Sequence, residues 1–321
     1  MMTHFMSLAA SMFINLSLKE KVAASVNLTT RCPLQCAGCY DQSPGGVGAS
    51  SKLELSDDQF MQLFYDLRNR NLRFATLVGG EPMIRKPLIV RLAEEKVFEG
   101  LWVITSGIYP MPKLPRTLYF VSIDGSESVH DTFRPLKGGK STYYQAINHL
   151  ERARSEGSPV AIHATIRAGY ENEVLEIAKK FAGKCDGLVV SALTPNRQNT
   201  TKLRGINIAT PRVNFEKLLV NLLQIENDFP GLLLVSPVYY RKHFTSAMIS
   251  TQQPETCSTA QGTLSLDAQG QPIAQCILGP DADCSQCGCG VSGIYRAITQ
   301  PWVPGYVGVS RRLFGLTRTV L

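Results

Sequence analysis

The stretch "RCPLQCAGCYD", residues 31–41, carries Cys32, Cys36 and Cys39 and supplies no fourth ligand of the same kind. It follows "VAASVNLTT" (22–30), an apolar, β-rich run, so the three thiols fall on a loop just past a first strand. A structural zinc site takes four Cys or His ligands, and no histidine follows Cys39 within forty residues. Three thiolates can instead hold three irons of a cubane cluster and leave the fourth iron open to a ligand. Loops at the C-terminal ends of parallel strands are where a β/α barrel places its chemistry.

Outward from that loop, five more apolar runs read as strands: 72–80, 101–107, 117–125, 159–167 and 187–193. Helical patterns lie between most of them, at 56–70 (with Ser56 as N-cap), 86–97, 141–156 and 171–183, and a further one spans 211–226. The link 108–116, "IYPMPKLPR", holds too many prolines for a full helix. Near-continuous apolar strands joined by crossovers predict an α/β fold, a partial (β/α)6 TIM-like barrel. From about residue 250 the composition turns to Gly, Gln, Pro and Cys, which marks a small C-terminal module. The expected organisation is an N-terminal extension (1–20), a barrel (21–250), a cysteine-rich module (251–292) and a basic, aromatic tail (293–321).

With 321 residues, 44% apolar and 18% charged, the chain can bury a full core. Its 33 basic against 26 acidic residues give +7, a modest excess that fits a mildly basic surface. There is no dense basic stripe with interleaved aromatics, so no nucleic-acid partner is expected. No run approaches the ~20 apolar residues of a membrane span. The start, "MMTHFMSLAASMFINLSLKEK", has no lysine or arginine ahead of its apolar run and reads poorly as a signal peptide, so a cytoplasmic location is expected. All of the nine cysteines but Cys185 fall in two clusters, which argues for metal over disulfides. Cys185, beside an apolar strand, reads as core.

Polar groups recur at the predicted strand ends. "VGGEP" (78–82) closes the second strand, "TSG" (105–107) the third and "SIDG" (122–125) the fourth. Glycines there let the backbone approach a ligand, Glu81 accepts from a cationic amine, and the guanidinium groups of Arg134 and Arg167 suit a carboxylate.

On C-x3-C-x2-C, "VGGEP" and "SIDGSESVHDTFR" (122–134), the chain resembles the radical S-adenosylmethionine (radical SAM) enzymes. The resemblance follows element order over residues 20–200. It implies that Cys32, Cys36 and Cys39 hold a 4Fe-4S cluster whose open iron binds the amino and carboxylate groups of SAM. An electron from the cluster then cleaves the sulfonium to give a 5′-deoxyadenosyl radical. Gly79, Gly80 and Glu81 match the contacts to the methionyl amino group. Ser106, Ser122 and Asp124 match contacts to the ribose or the carboxylate, and Arg134 and Arg167 contacts to the carboxylate. The family usually has an aromatic residue just before the third cysteine. Here that position is Gly38, and Tyr40 on the far side is the aromatic candidate.

The second cluster, Cys257, Cys276, Cys284, Cys287 and Cys289, surrounds "TLSLD", a turn at "AQGQ" and "PIAQC", which read as a hairpin. Four thiolates from such a frame suit zinc or iron–sulfur. Beside the first motif it resembles the Twitch or SPASM extension, which implies one auxiliary 4Fe-4S cluster. Cys257, Cys276, Cys284 and Cys287 are the preferred ligands, with Cys289 competing for the last place. The arrangement is also similar to the adenosylhopane-forming type. Implied partners are a reductant such as flavodoxin or ferredoxin and a small-molecule, lipid or isoprenoid, or peptide substrate. The tail 291–321, with four arginines and Trp302, Tyr306 and Phe314, suits peripheral membrane contact. Two rivals remain: a zinc-binding structural or nucleic-acid-binding protein, and an iron–sulfur electron carrier without SAM chemistry.

Overall fold

The computed structural model describes residues 21–41, 53–195, 201–203, 206–208, 212–235, 237–245, 253–299, 312–313 and 315–316. The extension 1–20, and with it most of the C-terminal tail including Trp302, Tyr306 and Phe314, lies outside the described residues.

The six expected strands form at β1 (Ala23–Asn27), β2 (Phe74–Val78), β3 (Gly100–Thr105), β4 (Thr117–Ser122), β5 (Val160–Ile166) and β6 (Leu188–Ala192), all parallel and in sequence order. The expected helices also form: α1 (Asp57–Asn69), α2 (Lys86–Glu94), α4 (Tyr143–Ser155), α5 (Glu173–Phe181) and α6 (Phe215–Asp228). Ser56 caps α1 in a full capping box with Gln59, which satisfies two of the donors a helix start leaves open. Residues 106–116 carry no helix, as the prolines require. A short helix α3 (Glu127–Phe133) follows β4, and α7 (Pro237–His243) follows α6.

The hairpin expected in the cysteine-rich module forms, turning at residues 268–270. Its first strand, β9 (Thr263–Leu266), pairs in parallel with β1 and makes the sheet a seven-stranded curled half-barrel, ordered β6-β5-β4-β3-β2-β1-β9. The return segment runs antiparallel to it through the bridge at Leu266–Pro272, with Ile273 N–H donating to Ser265 O (2.8 Å) and Asp267 N–H to Gln271 O (2.9 Å). The parallel pairing is the addition: the open edge of β1 offers a row of backbone groups that β9 satisfies. A small antiparallel pair, β7 (Thr201–Leu203) with β8 (Ile206–Ile208), sits between β6 and α6 in the chain.

The module reaches the other sheet edge as well. Ala192, at the end of β6, donates to Gly288 O at 2.8 Å, and Ser191 Oγ accepts from Gly290 N–H at 3.0 Å. A Cβ on Gly288 would lie 2.5 Å from Phe215 and one on Gly290 2.0 Å from Val190 O, so "CGCG" needs both glycines to lie flat on β6. The helix that follows, α8 (Val291–Thr299), packs onto inner-face residues of the sheet. Its Tyr295 hydroxyl meets Thr76 Oγ1 at 2.9 Å, and its ring packs on Trp102 at 5.9 Å. Residues 262–299 therefore clasp both edges of the barrel sheet.

Strand register shows what the inner face carries. Ser265, Ser25, Thr76 and Trp102 stand side by side, and Ser122, His163, Thr165 and Ser191 share that face. Helices cover the other face, where Val121 and Ala146 of α4 converge on Gly107. The interior is thus more polar than the apolar strand pattern suggested. Among the described residues no helix is long and apolar enough to cross a membrane.

Candidate functional site

Cys32, Cys36 and Cys39 lie, partly buried, on the loop after β1. The loop is zipped to the segment after α3. Gln35 N–H donates to Pro135 O (2.8 Å), Ala37 N–H to Phe133 O (2.9 Å) and Lys137 N–H to Pro33 O (2.8 Å). This short antiparallel pairing fixes the backbone between the thiols and was not evident from either segment alone.

The three sulfurs sit close enough to feel one another's charge. Burial, and then the neighbouring Glu81 and Cys39, push the Cys32 thiol up to about 11 against the opposing pull of the Leu34 backbone. Burial pushes Cys36 up to about 12, and Arg134 offsets only part of that. Thiols in this environment ionise when a cation binds them, so the donor set fits an iron cluster that brings its own positive charge.

The turn of "VGGEP" packs against this loop. Gly79 has φ +131°, and a Cβ there would lie 2.5 Å from Thr29 O; a Cβ on Gly80 would lie 2.3 Å from Arg31 O. What these glycines approach is the backbone just before Cys32. Gly80→Ala is expected to destabilise the protein by about 1–3 kcal/mol, read as a lower urea midpoint, because the atoms it meets are backbone. An unchanged midpoint would mean the turn opens at no cost.

Glu81 is buried, and its carboxylate is fully engaged. It accepts from Met83 N–H (3.0 Å), Thr105 Oγ1 (2.7 Å), Ser106 N–H (2.8 Å) and the Ser106 hydroxyl. Ser106 is thereby tied to Glu81. Tyr40 points back under the loop, and its hydroxyl donates to Asn27 Oδ1 at 3.5 Å beside the Gly79 backbone.

Asp124 is buried between two arginines. Arg134 Nε and Nη2 reach it at 2.7 and 3.2 Å, Arg167 Nη1 at 2.9 Å, and Thr165 N–H donates to it at 2.9 Å. Burial alone would raise its carboxyl, but Arg134 and Arg167 outweigh that and hold it far below the usual range. Two guanidinium groups against one carboxylate leave a net positive charge beside Cys36 and Cys39, which Arg134 faces. Ser122 pairs across the strands with His163, whose Nε2 meets Ser191 Oγ at 2.9 Å. Burial holds that imidazole down at about 4, hence neutral. The structure thus gathers the predicted barrel residues at one rim, with Tyr40, Glu81, Ser106, Asp124, Arg134 and Arg167 bonded to protein groups.

Sequence reasoning missed Glu54 and Arg85. Glu54 accepts from Thr29 Oγ1 (2.8 Å), Thr30 N–H (2.8 Å) and Arg85 Nη2 (3.0 Å), with Arg31 3.5 Å away, and Arg85 also holds Asp57 at 2.8 Å. Two features hint at it: a lone acidic residue two positions before an N-cap, and an arginine after "GGEP". Burial raises the Glu54 carboxyl, but Thr30 N–H, the Thr29 hydroxyl and Arg85 outweigh it and bring it to about 2 from 4.5. A depressed carboxylate stabilises the fold above its unfolded value, and that stability is lost as pH falls toward the folded one. The stability difference between wild type and Glu54→Gln should therefore be full above pH 5, roughly 3 kcal/mol at most, and shrink between pH 4.5 and 2. A difference that is flat across that window in denaturant titrations would refute the ion cluster.

In the second cluster, Cys276 senses Cys289, Cys257 and Cys284, and Cys287 senses Cys289, Cys257 and Cys276. Burial pushes Cys276 up to about 12 and raises Cys287 and Cys289. Cys289 lies at the start of α8, where its sulfur takes the N–H groups of Ser292 and Val291 and the Ser292 hydroxyl. Ser292 Oγ also meets Cys257 Sγ at 3.6 Å, and Thr194 Oγ1 donates to Cys287 Sγ at 3.3 Å. Cys284 faces Gln275 Oε1 at 3.8 Å. This donor set too is buried sulfur that a cationic cluster would ionise. Cys185 is buried, as expected for core.

Comparison with known proteins bears on this rim. The model of the Radical SAM superfamily matches residues 26–182. The sporulation killing factor maturation protein SkfB of Bacillus subtilis is 26% identical over 171 residues, 50% of this chain and 40% of that protein. A probable GTP 3′,8-cyclase of Archaeoglobus fulgidus is 24% identical over 216 residues, 64% of this chain and 66% of that protein. The match to SkfB thus spans well under half of that relative's length. Among solved structures, anSMEcpe with bound AdoMet superposes with a TM-score of 0.59 at 16% identity, covering 80% of this chain and 75% of that one. Streptococcus suis SuiB bound to precursor peptide SuiA gives 0.58 at 10% identity, covering 90% and 66%. At these identities the structures bear on the fold alone.

Proposed function

From the membership of its barrel in the radical SAM superfamily, we propose that this chain is an enzyme that reductively cleaves SAM and modifies a substrate with the resulting radical. Cys32, Cys36 and Cys39 would hold a 4Fe-4S cluster. The chemistry that cluster supplies when bound is one electron to the sulfonium of SAM, which yields methionine and a 5′-deoxyadenosyl radical that takes hydrogen from, or adds to, the substrate. The observation that carries this reading is the set of three partly buried thiols on the loop after β1, beside the net positive charge of Arg134, Arg167 and Asp124.

The chain's own groups divide the remaining work. Arg134 keeps a donor beyond those spent on Asp124 and is the contact for the SAM carboxylate. Backbone groups of Gly79 and Gly80 are the contacts for the amino group, with Glu81 setting the turn. Ser122 and the Tyr40 ring are the remaining cofactor contacts. A second 4Fe-4S cluster would sit in the C-terminal module, and Cys257, Cys276, Cys287 and Cys289 are its ligands. Cys289 displaces Cys284 from the set preferred on spacing, because its sulfur is close enough to feel the charges of Cys257 and Cys287 and takes the N–H groups of Val291 and Ser292 and the Ser292 hydroxyl.

A flavodoxin or ferredoxin would supply the electron in a cytoplasmic setting. The substrate belongs to one of three classes: small molecule, lipid or isoprenoid, or peptide. Peptides are the first to test, since SuiB is seen with a precursor peptide and SkfB is a maturation protein. The test of the class is anaerobic reconstitution with iron and sulfide, an iron count, and assay of 5′-deoxyadenosine after SAM and dithionite are added. About eight irons per chain and reductant-dependent deoxyadenosine are expected for two cubanes. A reduced cluster that leaves SAM intact would sink the reading.

A further inference from the structure

We propose that the cysteine loop is gripped from both sides by ion clusters, one buried and one partly exposed, and that Arg167 and Glu54 act as its positioning residues without touching SAM. The inference rests on the reading of that loop as the cluster site.

On the far side of the loop, Arg167 is nearly buried and its donors are turned inward. Nη1 holds Asp124 at 2.9 Å and reaches Thr165 O at 3.4 Å, while Nη2 donates to Ala37 O at 3.0 Å, between Cys36 and Cys39. Its guanidinium lies 4.2 Å from the centre of the Phe133 ring, and Phe133 O accepts from Ala37 N–H. Nε is buried and has no hydrogen-bond partner among the described residues, so that edge of the fork does not face solvent. Both the carbonyl and the N–H of Ala37 are thereby fixed, one by Arg167 and one by the zipped strand. A planar, five-donor group suits this task, because it can satisfy a carboxylate and a carbonyl at once while lying flat on an aromatic ring.

On the near side, Glu54 gathers Thr29, Thr30 and Arg31, the three residues immediately before Cys32, through two hydroxyls, one N–H and one guanidinium. Arg85 anchors it in turn, with its charge over the Phe60 ring and a bond to Leu55 O at 2.7 Å. Asp57 is the remaining charged group against Arg85. Each clamp joins the loop to elements distant in sequence: β4 and β5 through Arg167, the entry to α1 and the turn before α2 through Glu54.

The experiment uses reconstituted protein and three readouts: iron lost to a chelator, SAM binding by equilibrium dialysis, and the electron paramagnetic resonance spectrum of the reduced cluster. Arg167→Gln and Glu54→Gln should release about half of the iron roughly tenfold faster than wild type, the size expected for outer-shell partners of a metal site. SAM affinity should stay within about threefold, and the spectrum should broaden, which a general loss of stability would not cause. Arg167→Lys keeps the charge but reaches only one of Asp124 and Ala37 O, so it should fall between; it also carries the comparison if Arg167→Gln does not fold. Arg134→Gln should show the opposite split, with SAM affinity down about tenfold and iron release near wild type. Weakened SAM binding with unchanged iron release in Arg167→Gln would overturn the proposal. Wild-type protein that holds iron but binds no SAM would refute the SAM reading, while the iron-release comparison still judges the clamp.

Discussion

Cys36→Ala is expected to abolish 5′-deoxyadenosine formation and to lower the iron content of reconstituted protein from about eight to about four per chain. The reason lies in the loop's geometry. Ala37, next in the chain, is pinned through both its N–H and its carbonyl, so no neighbouring group can swing into the missing place. Two thiols from Cys32 and Cys39 cannot hold three irons. The iron that remains should belong to the C-terminal module, whose Cys287 and Cys289 flank Gly288, bridged to Ala192 at the end of β6. The measurement is an iron assay beside a product assay by mass spectrometry. Deoxyadenosine at wild-type level in this variant would end the assignment of the loop. Loss of all the iron would show that the two cysteine clusters assemble as one unit.

Much of this architecture was legible because it is local. The strands read as strands since each is a run of apolar residues buried on both faces, and Ser56 with Gln59 marks a helix start by itself. The elements that escaped have non-local causes. β9 reads as one arm of a hairpin, which it is, but its parallel pairing with β1, some 240 residues earlier, leaves no local signal. The helix α8, "VSGIYRAIT", has a glycine and branched residues that disfavour helix in isolation. It forms because Gly293 lies against Val235 and Tyr239, and Tyr295 fills the space over Trp102. The same divide runs through the site. The thiols, the glycine turn and the strand-end aspartate stand out by type and spacing. That Glu81 and Asp124 would be spent on protein donors, and that Glu54 would grip the loop, depends on which distant groups reach them.

Cys289→Ala is expected to cost the protein its second cluster, about four irons, while Cys284→Ala keeps it. Spacing alone favours Cys284, which with Cys287 makes a C-x2-C pair. Placement favours Cys289. It sits between two glycines that flatten the chain onto β6 and lead straight into α8, so its sulfur meets the first N–H groups of that helix. A helix start offers partial positive charge and unspent donors, which favour sulfur in its ionised, metal-binding form. Ser292 adds a hydroxyl shared with Cys257, and Tyr239 donates to Cys289 O at 3.3 Å. Cys284 is coupled to Cys276 and faces a glutamine. Because the first loop is untouched in both variants, each should still cleave SAM, which separates loss of the second cluster from misfolding. Iron counting and Mössbauer spectra of the two proteins decide the matter: retention in Cys289→Ala with loss in Cys284→Ala would restore the C-x2-C pair as ligands and leave the donors around Cys289 as features of helix capping alone.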